Sequence, residues 1–333
     1  MDDHVASQIV EQITLRKLVY AREFLKKHGQ PYSGSREKVR ERLSAARDRK
    51  PELTPELHSL LDELDVWGTQ RLRLAVLPQG ALEGLSSEAG VRRRVEDAGM
   101  SDLLDGRIAL VPPETTTPMA VSYKENDEGR FLTLVAAKTR NVCVPVPDVP
   151  DMTFEEHPGV VFKPFKEETQ KAVDFAEINL DSGFTISSTT LVKSGFSFRA
   201  EFGEFYEVFS PLMPLDDAEP VVLYNATRNI RERLTQTEVR IRARKARTSV
   251  GGVIGMSSHT SKVDMRADPE LLRTEDGLSN APCAHCNCYW EPVNGLEETV
   301  HTHIFAPEGE ISIMAQVKEN SARYVLRRIL ALN

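Results

Sequence analysis

The pattern of apolar positions along the 333-residue chain changes near residue 105. Before that point apolar residues recur every three or four positions, which is the spacing of one buried helical face. In residues 51–67, for example, Thr54-Pro55-Glu56 suits a helix start, and the leucines that follow share a face. The same spacing predicts a helix within 88–104, ending near Gly99 or continuing to Asp105-Gly106, and a pair of short helices between residues 14 and 45.

From Arg107 onward, short β-prone runs bounded by turn residues predict strands. The predicted strands are 130–137, 142–146, 185–191 and 195–202, and the predicted helices are 166–179, 226–234 and 321–332. We therefore expect an α+β fold in two parts. An all-helical domain would cover residues 1–105, and a larger, mainly antiparallel β-containing domain would cover 106–333.

A turn rich in Gly, Pro and Ser separates the two short N-terminal helices. Gly29 suits the position just past a helix end, and Pro31 cannot continue a helix. Ser33 or Ser35 can cap the second helix by accepting from its free backbone N–H groups. Residues 29–43 therefore predict a helix–turn–helix unit.

Residues 14–45 resemble the SAP-type DNA-binding motif, whose pattern reads Gly-x-Pro-x-Ser-Gly-x-Lys-x-x-Leu-x-x-Arg-Leu. The matching positions are Gly29, Pro31, Ser33, Gly34, Val39, Arg42 and Leu43. Arg36 stands where the family usually has Lys. The resemblance implies contact with duplex DNA, with a glycine that allows close approach and cations that contact phosphates. The expected contact residues are Gly34, Ser35, Arg36, Lys38 and Arg40.

The charge of this unit is opposite to that of the whole chain. Between Thr14 and Lys50 there are twelve Lys and Arg against four Asp and Glu, whereas the chain has 42 against 50 and a net charge of −8. Lys and Arg beside the free N–H groups of a helix start favour phosphate binding. The alternative is a solvated basic hairpin that only packs or binds protein.

A second basic segment covers residues 228–247, with eight Lys and Arg against two Asp and Glu. Within Val239–Lys245 the residues alternate strictly, so a strand would present Arg240, Arg242 and Arg244 as a row on one face. Such a row could follow a phosphate backbone and form a second DNA contact. It could equally pair with acidic residues of this chain or of a partner.

Cysteine and histidine residues cluster near the C-terminus. The cluster comprises Cys283, His285, Cys286 and Cys288, followed by His301 and His303. Asn294-Gly295 between them is a strong signal for a two-residue hairpin turn. With this turn Cys288 faces His301, and Cys286 faces His303, all on one side of the hairpin. These four residues predict a structural, tetrahedral zinc site. Cys283 or His285 could replace one of the four ligands. The alternative is a buried face in which Cys and His only pack.

The remaining sequence features limit the expected location and function of the protein. An N-terminus of Met-Asp-Asp-His, the absence of a long apolar run and the bunched cysteines predict a cytoplasmic, nucleoid or nuclear protein with no membrane partner. We expect a non-enzymatic DNA-binding protein with little sequence specificity. A scaffold protein that binds a partner or forms a homo-oligomer is the first alternative. A metal-dependent nuclease is the second, because Glu310, Gln316 and Lys318 superficially resemble the acid…Gln-x-Lys arrangement of restriction-type nucleases.

Overall fold

The computed structural model describes residues 3–104, 106–146, 149–150, 152–153, 156, 160–191, 197–248, 250–278 and 281–333. Within these residues the chain is α+β, as predicted: four N-terminal helices precede a large antiparallel sheet. The helices are α1 (Asp3–Leu15), α2 (Leu18–Lys27), α3 (Arg36–Arg49), α4 (Leu53–Trp67), α5 (Glu88–Asp97), α6 (Phe198–Phe209), α7 (Tyr224–Arg233), α8 (Pro269–Asp276) and α9 (Glu319–Ala331). The strands are β1 (Gln70–Val76), β2 (Thr117–Asn126), β3 (Gly129–Pro145), β4 (Phe165–Asn179), β5 (Phe184–Thr190), β6 (Glu219–Pro220), β7 (Val239–Arg247), β8 (Val253–Ser257), β9 (Cys283–Trp290), β10 (Val300–Phe305) and β11 (Glu310–Ile313).

The first four helices pack around a core of their own. Its buried side chains include Ile9, Ile13, Ala21, Leu25, Val39, Leu43, Leu57 and Leu61. The helical hairpin predicted around the turn at 29–35 is therefore present as α2 and α3. At the end of α4, the Trp67 ring leaves this core and packs on Phe175 of the sheet, with ring centroids 4.9 Å apart. This contact anchors the helices on the sheet.

The sheet has the strand order β2-β3-β4-β5-β1-β11-β10-β9-β7-β8 in the described residues, with β6 paired to β1. The central strand is β1, which lies between β5 and β11. It comes from residues 70–76, inside the segment that the sequence predicted to be entirely helical. The N-terminal helices therefore lead directly into the middle of the sheet.

Several elements confirm the expected pattern. The predicted helices at 51–67, 226–234 and 321–332 correspond to α4, α7 and α9. The strands at 130–137 and 142–146 are parts of one long strand, β3, and 185–191 corresponds to β5. The helix predicted within 88–104 is α5, and its end at Asp97 agrees with the predicted end near Gly99.

Two elements differ from the predictions. Residues 166–179, predicted as a helix because they are rich in Glu, Lys, Gln and Ala, form the 15-residue strand β4. Pairing with β3 along this whole length outweighs the weak helical preference. Residues 198–202, predicted as the end of a strand, open helix α6 after a cap by Ser197, while residues 195–196 lie outside the described residues.

The two faces of the sheet are covered differently. The inner face carries apolar side chains that pack against α4, α7 and α9. The outer face is covered by α5 and α6 over β2 to β5. At β9 and β10, α7 and α9 pack on the inner face, while the outer-face side chains other than the buried Asn287 are half-buried. No helix in the described part of the chain is long and apolar enough to cross a membrane.

Candidate nucleic-acid interface

The turn between α2 and α3 has the backbone geometry that its sequence suggested. Gly29 follows α2 in a left-handed conformation with φ of 66°, which glycine adopts at little cost. Gly34 has a positive φ of 122°. The hydroxyl of Ser35 accepts a hydrogen bond from the backbone N–H of Lys38 at 3.4 Å and so caps α3. Of the two serines that the sequence left open, Ser35 is the cap.

Two arginines of α3 hold the turn in place. The Arg36 guanidinium donates to the carbonyls of Thr14 and Arg16 at the end of α1. The Arg42 guanidinium donates to the carbonyl of Ser33. Both hydrogen bonds of Arg36 come from Nη1, and the other N–H groups of the guanidinium take no part in them. Arg36 therefore ties the start of α3 to the end of α1, and the phosphate contact expected of it stays a prediction.

Lys38 and Arg40 differ from Arg36 and Arg42. Both side chains are exposed, and neither has an ion-pair partner within the described residues. The Glu37 carboxylate accepts from its own backbone N–H and from the Ser35 hydroxyl, which lowers the pKa of Glu37, and the charges of Arg40 and Arg36 act in the same direction. The start of α3 therefore presents two cations around a capped first turn.

The predicted row of three arginines on β7 is interrupted by a β-bulge. The pairing of β7 with β9 shifts between Ile241 and Ala243, so Arg242 is an extra residue on β7. One extra residue reverses the alternation of side chains. Arg244 consequently lies on the inner face, buried, with its Nε donating to Cys283 Sγ at 3.3 Å. The prediction that the three arginines share one face is wrong.

The outer face of β7 instead carries Arg240, Arg242 and Lys245. Arg240 pairs with the Glu291 carboxylate, and its guanidinium lies 5.2 Å from the centre of the Tyr289 ring. Lys245 is exposed, and Arg242 is half-buried. Neither Arg242 nor Lys245 has an ion-pair partner within the described ranges. These two residues therefore supply the unneutralised positive charge of this face.

The hairpin of β9 and β10 differs in register by one residue from the predicted hairpin. Its cross-strand pairs are Tyr289–His301, Cys288–Thr302, Asn287–His303, Cys286–Ile304 and His285–Phe305. Asn294 and Gly295 do have positive φ values of 55° and 95°. However, β9 ends at Trp290 and β10 begins at Val300, so a longer connection sets the register. The predicted pairing of cysteine with histidine is wrong.

The four predicted zinc ligands consequently lie on opposite faces. Cys286 and Cys288 are buried on the inner face, where the hydrogen bond between the two thiols and burial raise the pKa of the Cys286 thiol. His301 and His303 lie on the outer face. In the ranges given above, no group of three or more His, Cys, Asp or Glu side chains is placed to hold a metal ion. The register that would have gathered these four ligands is absent.

The outer face of this hairpin carries adjacent side chains that we call the outer stripe. It consists of Tyr289, His301, Asn287, His303, His285 and Phe305. The Tyr289 and His301 rings stack with centroids 4.1 Å apart. The His285 and Phe305 rings stack at 4.7 Å. Between these pairs, the His303 ring stands edge-on to His301 at 4.9 Å and to His285 at 5.4 Å. The rings form one continuous surface.

The Asn287 amide joins the two histidines of β10. Nε2 of His301 lies 2.8 Å from Asn287 Oδ1, and Asn287 Nδ2 lies 2.7 Å from Nε2 of His303. An amide oxygen only accepts and an amide nitrogen only donates, so His301 donates from Nε2 while His303 accepts at Nε2. This network requires a neutral His303 ring.

The three histidines of the outer stripe are uncharged at neutral pH. Burial lowers the pKa of His285 and of His301 to about 4, and the nearby His303 acts in the same direction. Burial, Arg71 and Arg242 lower the pKa of His303. Positive charge on this face therefore comes from Arg and Lys, and the histidines contribute flat neutral rings.

These pKa values predict how stability responds to acid. The free energy of unfolding should fall as pH is lowered from about 6.5 toward 4, because unfolded histidines bind protons there while folded His285 and His301 do not. Urea unfolding of the wild type and of a His285→Leu/His301→Gln variant across this range measures the effect. The variant should show a shallower decline. An equal decline in both proteins would assign the effect to other groups.

Arg71 of β1 closes the outer stripe on its other side. Its guanidinium carbon lies 3.6 Å from the centroid of the Phe305 ring and 4.8 Å from that of Phe198. It also pairs with the Glu310 carboxylate and donates to the Ser312 hydroxyl at 2.8 Å. Glu310 is therefore neutralised by an ion pair at the edge of the stripe.

The residues considered for a nuclease do not converge. Glu310 is held in the ion pair just described. The Gln316 side chain accepts from the backbone N–H of Lys17 at 2.6 Å, and Lys318 pairs with the Glu23 carboxylate. Because each residue has its own partner on a different element, they do not form a two-carboxylate and lysine site.

The sequence reasoning missed the role of Asn287, Tyr289, Phe305 and Arg71. The sequence feature that could have revealed them is the alternation of residue types along the two strands of the hairpin. Residues 285, 287 and 289, and 301, 303 and 305, are polar or aromatic, whereas the residues between them are Cys, Thr and Ile. Pairing the strands by this pattern would have placed the rings on one face and the cysteines on the other.

In comparison with known proteins, the chain matched no family model and no curated protein. The likeness to the SAP motif rests on the residues quoted for it.

Proposed function

We propose that the chain is a non-enzymatic DNA-binding protein that contacts the duplex backbone through the start of α3. One observation carries the proposal: Arg36 and Arg42 brace the turn, while Lys38 and Arg40 stay exposed and without ion-pair partners in the described chain. Cations at a helix start suit phosphate oxygens. Because phosphates carry no base sequence, we expect little sequence specificity.

A second backbone contact would lie on the outer face of β7. Arg242 and Lys245 are its unpaired cations, and Arg240 contributes less because Glu291 neutralises it. The inward-facing Arg244 is not part of this contact. The proposal thus keeps both basic regions of the sequence analysis, but Lys245 takes the place of Arg244 in the second region.

Charge reversal at α3 tests this function. A Lys38→Glu/Arg40→Glu variant should bind a labelled duplex of arbitrary sequence about tenfold more weakly at moderate salt. The dependence of affinity on salt should also become shallower, by about one unit of slope per lost phosphate contact. Fluorescence anisotropy over a salt series measures both effects.

An Arg93→Glu/Lys124→Glu variant is the matched control, because both residues are exposed on α5 and β2 and the charge change is the same. This control should bind nearly as the wild type does. Equal losses of duplex affinity in the two variants would mean that the effect comes from the overall charge of the chain and not from the start of α3. If the wild type fails to bind duplex at low salt, the scaffold alternative is favoured, and cleavage with divalent metal would favour the nuclease.

A further inference from the structure

We propose that a cavity between α7, β7 and β8 binds a phosphate monoester group, which Arg228, Arg231 and Arg244 would hold. The cavity has a volume of about 220 Å³, and all three arginines line it. This site goes beyond the duplex contact of α3 and does not depend on it. Four observations support it: the convergence of the arginines, the bulge on β7, the graded burial of the three side chains and the size of the cavity.

The three arginines reach the cavity from two separate elements. Tyr224, Arg228 and Arg231 follow one another at intervals of four and three residues, so they share one face of α7. Arg244 enters the cavity from β7. Among the described side chains that line the cavity, charge comes only from these arginines. Guanidinium groups that meet in one cavity favour an anionic ligand with several oxygens.

The β-bulge at Arg242 accounts for the position of Arg244. Strict alternation would place Arg244 on the outer face together with Arg240, and the extra residue turns it inward. Arg244 is only 7% exposed, and its Nε donates to the Sγ of Cys283, which also lines the cavity. Bulges are frequent beside functional sites, where they redirect one side chain. The bulge therefore brings a buried cation to the arginines of α7.

The three side chains are buried to different degrees. Arg228 is exposed, Arg231 is half-buried and Arg244 is buried. An anion that enters past Arg228 would therefore meet its last guanidinium away from water, where electrostatic attraction is stronger. The Arg228 guanidinium donates to Asn225 at 3.4 Å, and Arg231 and Arg244 also interact with other groups of the chain. A guanidinium has five N–H donors, so these contacts are compatible with hydrogen bonds to a ligand.

The size and lining of the cavity indicate which anion it suits. Sites for drug-sized molecules have volumes of about 300–1,000 Å³, so a volume of about 220 Å³ suits a phosphoryl group with a few further atoms. A phosphate monoester has three terminal oxygens and a charge of about −1.5 to −2, which three guanidinium groups match better than they match a single carboxylate. Tyr224, Met256 and Leu278 would contact the carbon atoms next to the phosphate. Two sources offer this group: a small sugar phosphate, and the 5′-phosphate at the end of a nucleic-acid strand.

Titration calorimetry with ribose 5-phosphate, and with ribose as the uncharged control, tests the proposal. Wild-type chain should bind ribose 5-phosphate and should not bind ribose. An Arg228→Gln/Arg231→Gln variant should bind ribose 5-phosphate about tenfold more weakly or worse, because it loses charge-assisted hydrogen bonds. Absence of ribose 5-phosphate binding by the wild type overturns the inference.

Arg93→Gln/Arg233→Gln is the matched control. It removes the same charge from two exposed arginines that are not among the described lining residues, and Arg233 lies on α7 itself. This control should bind ribose 5-phosphate as the wild type does. Equal losses of affinity in the two folded variants would overturn the inference, because they would assign the binding to overall charge.

A measurement on the wild type keeps the test decisive if the Arg228→Gln/Arg231→Gln variant does not fold. Phenylglyoxal modifies accessible guanidinium groups, and bound ribose 5-phosphate should protect Arg228 and Arg231 from it while Arg233 reacts as before. Mass spectrometry of the modified peptides measures this protection. Equal modification of Arg228 and Arg231 with and without ribose 5-phosphate overturns the inference.

Two forms of one oligo-dT strand, with a 5′-phosphate and with a 5′-hydroxyl, distinguish the sources of the group. A preference for the phosphorylated strand that disappears in the Arg228→Gln/Arg231→Gln variant identifies the strand end. Equal affinity for the two strands, together with binding of ribose 5-phosphate, identifies the small sugar phosphate. The Lys38→Glu/Arg40→Glu variant should bind ribose 5-phosphate as the wild type does, so a failure of the duplex proposal would be seen separately, in duplex affinity alone.

Discussion

Replacing Arg140 by alanine should lower the free energy of unfolding by about 3–5 kcal/mol. Arg140 is buried on the outer face, beneath α6. Its guanidinium donates to the Thr190 carbonyl and to the Thr189 hydroxyl, each at 2.9 Å, and pairs with the Glu201 carboxylate. It also lies 3.5 Å from Asp174, whose side chain is fully buried. Removing this cation leaves two carboxylates away from water, with Lys138 beside Glu201 to offset part of their charge.

The loss should depend on pH. Burial already raises the pKa of Asp174, and the charge of Arg140 opposes that rise. Without the arginine the pKa of Asp174 should rise further. Near neutral pH, Asp174 should then bind a proton in the folded variant but not in the unfolded chain. The variant should therefore lose more stability at pH 8 than at pH 5.

Arg130→Ala is the control, because Arg130 also lies on β3 and also pairs with an aspartate, Asp181. That pair is exposed, with side-chain accessibilities of 32% and 40%, so its loss should cost only about 0–1 kcal/mol. Urea unfolding followed by circular dichroism compares the two variants. Similar losses at both sites would contradict the claim that burial makes the Arg140 network decisive.

The sequence predicted well those elements whose local preference and tertiary environment agree. Helix α4 is one, because its apolar residues share a face and that face meets a core. Strand β4 is the opposite case. Its first half is mostly exposed and rich in helix-favouring residues, and only the long neighbour β3 makes it a strand. No local pattern specifies that neighbour.

Site prediction failed where one residue decides the outcome. A bulge at Arg242 moved Arg244 to the inner face, and a one-residue change of register separated Cys286 and Cys288 from the histidines. Because strand side chains alternate with a period of two, each such shift exchanges the two faces completely. The sequence shows which residue types are present, whereas the neighbours of each side chain depend on hydrogen-bond register across strands.

The two backbone contacts proposed above share one physical basis. At the start of α3 and on the outer face of β7, lysine and arginine side chains lack ion-pair partners among the described residues. Such cations suit a ligand that offers phosphates, and the Lys38→Glu/Arg40→Glu variant tests the first contact separately from the second.

Replacing Asp65 by alanine is the second change with a large expected effect, a loss of about 3–5 kcal/mol in the free energy of unfolding. The Asp65 carboxylate is almost fully buried at the end of α4. One oxygen pairs with Arg16, between α1 and α2, at 2.5 Å, and the other with Lys171 of β4 at 2.7 Å. Lys171 is itself buried, so without Asp65 its charge would lack this partner in a dry site.

Because Asp65 joins the N-terminal helices to the sheet, its loss should act most strongly on their attachment. Hydrogen exchange in the Asp65→Ala variant should accelerate more in α2 and α3 than in the central strands. Glu56→Ala is the control, since Glu56 on the same helix pairs with Lys27 at an exposed site and should cost about 0–1 kcal/mol. Uniform acceleration throughout the chain would mean that Asp65 supports overall stability without specifically holding the helices on the sheet. An unchanged urea midpoint would refute the buried ion-pair argument itself.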